Sequence, residues 1–217
     1  MTRRRAPTAV DLAALLPSWE LALRAERKSP QTVKTYGDGV RRFLAWCAQA
    51  GRPATLDRPT VAGFVAELLD AGAQAATARS RQLALKRYSG WLAEEGEIDT
   101  DLLLGTKPPK LDVKVVPTLT DDQVRLLIKA CAGPDMWHRR DEALVRLMVE
   151  TGARAGEVVA MELPDVNLPD GLVTVRRGKG GKGRTVPFGA RTGRAIDRYL
   201  RARRSHRLAA TPALWLG

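Results

Sequence analysis

Two cysteines and two histidines in 217 residues leave little material for a metal centre or a disulfide framework. Cys47 and Cys131 have no CxxC spacing and no histidine close by in the sequence, and His138 and His206 lack metal-ligand spacing and read as surface residues. Both cysteines fall on the apolar register of predicted helices, which suits buried free thiols in a reducing cytoplasm. No apolar run approaches the roughly 20 residues of a membrane span. The N-terminal MTRRRAPTAVDLAALLP starts basic, but Asp11 and Pro17 break its apolar part, so a secretion signal is not expected. Internal repeats and low-complexity tracts are also missing. Zinc modules, disulfide-stapled secreted domains, membrane proteins and repeat arrays therefore drop out.

What is present is an ordinary globular balance, 44% hydrophobic and 28% charged, long enough for one large domain or two small ones. The unusual feature is where the charge lies. The net charge is +12, yet residues 171–217 alone hold 12 Lys/Arg against one acid, Asp197, leaving the first 170 residues at only +1. A basic field confined to the last fifth of a chain suits a polyanionic partner, nucleic acid before membrane. A solvated basic helix face is the other explanation of the same count.

Periodicity divides the chain in two. Four helices are predicted in residues 1–100: one through Leu12, Leu15, Leu16, Trp19 and Leu23, and one opening at Ser29-Pro30 and running through Val33, Tyr36, Val40, Phe43, Leu44 and Cys47. A third carries Val61, Phe64, Val65, Leu68 and Leu69. The fourth, about 77–95, packs through Ala84, Leu85, Tyr88, Trp91 and Leu92, with Arg79, Gln82 and Lys86 expected on the opposite, exposed side. Residues 101–116, with Lys107-Pro108-Pro109-Lys110, read as a linker. The second domain, 117–217, opens on the capping box Thr120-Asp121-Asp122-Gln123. The acid pairs Asp121-Asp122 and Asp141-Glu142 read as first-turn charges of helices rather than as a general acid and base.

Residues 176–187, RRGKGGKGRTVP, could cradle a nucleotide phosphate or touch a polynucleotide backbone. Gly178 and Gly183 have P-loop spacing, but Arg184 stands where a P-loop needs Lys, and Thr185-Val186-Pro187-Phe188 cannot open a helix. With Leu172-Val173-Thr174-Val175 before it, the stretch reads as a basic, Gly-rich β-hairpin, and no nucleotide is expected.

Four pieces in this order resemble the tyrosine recombinases, the phage-integrase and Xer-like family of DNA breaking-and-rejoining enzymes. They are Ser29-Pro30-Gln31-Thr32 onward, Thr77-Ala78-Arg79 through Tyr88, TGARAGEVVAMELPDV at 151–166, and GKGGKGRTVPF at 178–188. The resemblance implies a mainly α fold with a small antiparallel β-hairpin or sheet: a helical-bundle, SAM-like core-binding domain, then an incomplete α+β catalytic domain. It implies a tyrosine that attacks a DNA phosphodiester to give a 3′-phosphotyrosyl link, with no cofactor, metal or nucleotide. Arg154 matches the family's first catalytic Arg and Lys179 its hairpin Lys, with Lys182 as fallback and Glu157 as support. The implied contacts to double-stranded DNA are Thr32, Lys34, Arg79, Gln82, Lys86, Arg87, Arg177, Lys182 and Arg184. Self-association, a tetramer on DNA in the full-length family, and a cytoplasmic setting follow from the same likeness.

One departure bears on activity. Beyond the hairpin the family needs a His-x-x-Arg pair, a further His or Trp, and the nucleophilic Tyr. His206 is followed by Arg207-Leu208-Ala209, and Tyr199 reads as a packing residue between Ile196 and Leu200. Ala213-Leu214-Trp215-Leu216-Gly217 is similar to the strand before that pair. The expectation is a chain matching the first two-thirds of a recombinase and inactive alone, with a non-catalytic DNA-binding regulator or competitor as the alternative.

Overall fold

Capping residues decide where the first helices begin. The Asp11 carboxylate accepts from the Ala13 and Ala14 amides at 3.0 Å, Ser29 Oγ from the Thr32 amide at 3.1 Å, and Asp57 Oδ1 from the Thr60 amide at 2.8 Å. Helices α1 (Leu12–Ala25), α2 (Pro30–Gln49), α3 (Arg58–Asp70) and α4 (Ala75–Glu94) follow. The computed structural model describes residues 10–111, 116–176 and 183–217. The chain divides into two units, Met1–Val115 and Val116–Gly217.

The first unit is closed by aromatic packing. Trp19 stacks on Tyr36 and tilts against Tyr88, with ring centroids 5.9 and 4.8 Å apart, and Phe43 meets Phe64 edge-on at 5.5 Å. The Tyr88 hydroxyl donates to the Leu12 carbonyl at 2.7 Å, tying α4 to the start of α1. Helices α2 and α4 cross at Gly39, where a Cβ would lie 2.6 Å from that of Ala84.

The polar side of α4 departs from the helical-wheel expectation, and residues 98–107 are the reason. This stretch, read from sequence largely as linker, is docked on the helices: Leu103 is fully buried, and Arg58 donates to the Leu102 and Leu104 carbonyls. Gln82, expected to be exposed, is only 4% exposed, and its Nε2 donates to the Lys107 carbonyl at 3.2 Å. The Lys86 ammonium donates to the Thr106 carbonyl at 2.8 Å. Arg79 and Arg87 remain exposed. A wheel drawn on one helix cannot see a covering segment that arrives later in the chain.

In the second unit α5 (Asp121–Ala130) carries the expected capping box between Thr120 and Gln123. Helix α6 (Met136–Thr151) packs on α8 (Ala190–Arg203), burying Leu147, Ile196 and Tyr199. Because α6 starts at Met136, capped by Asp135, Asp141 and Glu142 sit mid-helix and not in a first turn. Glu142 pairs with Arg146 at 2.8 Å and with Arg198 of α8 at 3.6 Å. Cys47 is buried as expected, but Cys131 is only half-buried at the end of α5.

Strands β2 (Leu172–Val175) and β3 (Arg184–Pro187) form the expected hairpin stems, with Val173 opposite Val186 and Thr174 opposite Thr185. Strand β1 (Val166–Asn167), two residues long and not expected, completes a three-stranded antiparallel sheet in the order β1-β2-β3. Two ladder pairs are too few to leave a periodic signal.

Candidate active site

Helix α6 ends because Gly152 adopts φ 60°, ψ 20°, a left-handed conformation that costs glycine little. Its amide still donates to the Met148 carbonyl at 3.0 Å. The chain then turns through buried Ala153, and Arg154 in extended geometry begins the one-and-a-half-turn helix α7 (Ala155–Val159). A long cationic side chain is thereby carried on an ordered turn with 64% of its surface exposed.

Glu157 fixes this turn. Its side chain is only 6% exposed and accepts from the Arg154 amide at 2.9 Å and from Arg154 Nη1 at 3.0 Å. The same carboxylate receives both arms of Arg184 from β3, Nη1 to Oε1 at 3.0 Å and Nη2 to Oε2 at 2.7 Å. These donors, Arg184 first, hold the Glu157 carboxyl at about 2, against the desolvation that opposes ionisation. The guanidinium of Arg184 is correspondingly held more firmly protonated by Glu157.

The other stem of the hairpin is tied down as well. Arg176, next after β2, donates to Asp165 Oδ1 at 2.6 Å and also pairs with Glu162. Asp165 is 5% exposed and in turn accepts from the Glu162 amide at 2.8 Å. The sequence reading passed over this trio; a Glu-x-x-Asp pair ahead of a basic strand end was the available signal.

Behind α7 lies the C-terminal segment. Ala213 bridges to Glu162, the Leu214 amide donates to the Met161 carbonyl at 2.9 Å, and Trp215 Nε1 donates to the Val158 carbonyl at 2.9 Å. Arg203, counted with the basic tail, is 4% exposed and donates to the carbonyls of Ala209, Thr211, Ala213 and Leu214. It is a staple for the backbone of 209–214 and contributes nothing to an exposed field.

Of the expected site residues, Arg154, Glu157 and Arg184 are brought together in the second unit. Arg184 donates both arms to Glu157, with 36% of its side chain exposed. Arg177, Lys179 and Lys182 lie outside the described residues. In the first unit Lys34, Arg79 and Arg87 are exposed, Thr32 is half-buried with its hydroxyl 2.8 Å from Ser29 Oγ, and Gln82 and Lys86 are bonded to the 106–107 backbone. Tyr199 is fully buried, and burial raises its phenol pKa despite the opposing Leu216 amide and nearby Arg203. Among the described residues no helix is long and apolar enough to cross a membrane.

Comparison with known proteins gives the same outline. Residues 117–212 match the phage integrase family, and residues 16–96 match the phage integrase N-terminal SAM-like domain. The chain is 31% identical to the tyrosine recombinase XerC of Pseudomonas fluorescens, over 82% of this chain and 60% of that one. It is 38% identical to the XerD of Ralstonia nicotianae, over 76% of this chain and 54% of that one. It thus spans about three-fifths or less of these relatives' length. In fold it is similar to a lambda integrase dimer bound to a COC′ core site, with TM-score 0.70, 20% identity and 97% and 58% of the two chains covered. A lambda integrase tetramer bound to a Holliday junction gives TM-score 0.63, 23% identity and 86% and 55% coverage. The chain belongs to the tyrosine recombinase, or phage integrase, family.

Proposed function

We propose that this protein serves site-specific DNA recombination: it binds duplex DNA and supplies groups for strand cleavage through a 3′-phosphotyrosyl intermediate and for rejoining. The observation that carries this reading is Arg154, an exposed guanidinium on a turn whose position is set by a buried carboxylate. In phosphodiester transesterification negative charge builds on the non-bridging oxygens, and a planar guanidinium can hydrogen-bond two of them at once. The departing 5′ oxygen needs a proton, a role that falls to Lys179 by its place in the motif, with Lys182 next. The protein nucleophile conserves the bond energy, so the chemistry calls for neither nucleotide nor metal.

Residues 1–100 are the core-binding domain in this reading and 117–217 the start of the catalytic domain. Thr32, Lys34, Arg79 and Arg87 are the contacts proposed in the first, and Arg177 and Lys182 in the second. Association into dimers and tetramers on DNA is supported by the lambda integrase assemblies. A reducing cytoplasm suits two free thiols and a DNA substrate.

A second reading, that these residues bind DNA without themselves supplying the nucleophile, is favoured by the state of the tyrosines. The chain has three, and Tyr88 and Tyr199 are fully buried while Tyr36 is half-buried under Trp19. Amide-resolved NMR during titration with a short duplex tests the interface. Shifts should concentrate at 153–157, the residues flanking 177–182, Lys34, Arg79 and Arg87, and Mg-ATP should cause none of them. Shifts confined to other surfaces, or reproduced by Mg-ATP, would overturn the assignment.

A further inference from the structure

The basic residues of the hairpin are not equivalent. Arg184 spends both arms of its guanidinium on one carboxylate, in the parallel fork geometry that gives such pairs their directional strength. That carboxylate, Glu157, is almost wholly enclosed and also holds the amide and the side chain of Arg154. Arg184 begins β3 and Glu157 lies on α7, so the contact joins the far stem of the hairpin to the arginine turn. At the near stem Arg176 makes a separate connection to Asp165 and Glu162. Glu157, Glu162, Asp165 and Arg176 line one cavity beside the sheet, and with Arg154 and Arg184 added three arginines are paired with these three carboxylates.

We infer that Arg184 is a positioning residue: through Glu157 it fixes Arg154 relative to the hairpin, and it does not itself contact DNA phosphate. This rests on the recombinase reading for its purpose, though not for its geometry. Two of the five N–H groups of Arg184 are committed to Glu157 and 36% of its side chain is exposed, but turning the guanidinium toward a phosphate would withdraw that fork and strand an enclosed carboxylate with only Arg154 to satisfy it. Each stem of the hairpin is then locked to the helical part by its own arginine. Lysine cannot replace the fork, because one ammonium cannot donate in parallel to both carboxylate oxygens.

The test uses the 217-residue chain with Arg184→Lys and, in case that variant folds poorly, Arg184→Gln. Two quantities are read: the midpoint of the Glu157 side-chain carboxyl by carbon-detected NMR, and the salt dependence of affinity for a duplex. A positioning role predicts that the Glu157 midpoint rises from about 2 by roughly one to two pH units, that the Arg154 amide resonance moves with it, and that the salt slope is unchanged. A phosphate contact predicts the opposite pair: a slope shallower by about 0.9 and an unmoved Glu157 midpoint, which would overturn the inference. An unmoved Arg154 amide would overturn it too. The NMR arm needs no DNA, so absence of duplex affinity in the unsubstituted chain would sink the recombinase reading and leave this one standing.

Discussion

The phenol of Tyr199 donates to the Leu214 carbonyl at 2.9 Å and accepts from the Leu216 amide at 2.9 Å, while its ring stacks on Trp215 at 5.4 Å. Both hydrogen-bonding capacities of the hydroxyl are used to hold the C-terminal segment against α8. A nucleophile needs a free lone pair facing substrate and a base to take its proton. Tyr199 has neither, and burial moves its pKa upward, away from activation.

The 217-residue chain should therefore bind a nicked suicide duplex without forming a covalent adduct. Denaturing gel electrophoresis after incubation would reveal any protein–DNA band. Tyr199→Phe should cost about 1–3 kcal/mol in denaturant unfolding, since the Leu216 amide loses its acceptor, and should leave DNA affinity alone.

Arg203→Met should destabilise the second unit by about 3 kcal/mol, because four carbonyls lose a charged donor and only the aliphatic stem is replaced. Chemical denaturation followed by circular dichroism and tryptophan fluorescence would measure this. An exposed, DNA-facing Arg203 would instead give a variant of native stability and weakened binding.

At the crossing of α2 and α4, Gly39→Ala should cost about 1–3 kcal/mol in the first unit, since its methyl would overlap that of Ala84. An Ala84→Gly change in the same chain should recover part of the loss. Non-additivity of the two, read from denaturant midpoints, checks that the contact is direct.

Glu157 makes the second unit acid-sensitive in a definite window. Its folded pKa, about 2, lies below the ordinary carboxylate value that the unfolded chain has. The group's contribution is thus fully present above about pH 5 and is lost as pH falls toward 2. Glu157→Gln should lower stability at pH 7 and converge on the parent as the pH approaches 2. A gap that stays constant across this range would contradict the ionic account.

The helices, their caps and the two hairpin stems were legible because each is written locally: Ser29-Pro30, Thr120 to Gln123, Gly152, and the β-branched pairs at 172–175 and 185–186. Arg154 with Glu157 was legible through the family resemblance of 151–166, and their spacing of three fits the contact they make. The misreadings share one cause, since each depended on a partner far along the chain. Gln82 is covered by the backbone at Lys107, and Arg203 by carbonyls of a loop that follows it. Basic residues counted as a field in the sequence are in part internal connectors, and only packing separates the two.

Arg79 and Arg87 are the exposed cations of α4. Their joint replacement by Ala should weaken duplex binding several-fold and move the melting temperature by less than about 1–2 °C, as exposed side chains carry little stability. Lys86→Ala, by contrast, should loosen the 106–107 docking and lower the melting temperature. Differential scanning calorimetry beside gel shift would separate the two kinds of lysine and arginine.

Cations in each of the two units are proposed to engage duplex DNA. The most direct measurement is the affinity of the 217-residue chain for a fluorescent duplex of about 30 base pairs, by anisotropy, as salt is raised. Each neutralised phosphate contributes about −0.9 to the slope of log affinity against log salt, so four to six contacts predict a slope of roughly −4 to −5. Arg154→Ala with Arg79→Ala should make it shallower by close to two such increments. No measurable duplex affinity at low salt, or a slope that ignores both substitutions, would contradict the account.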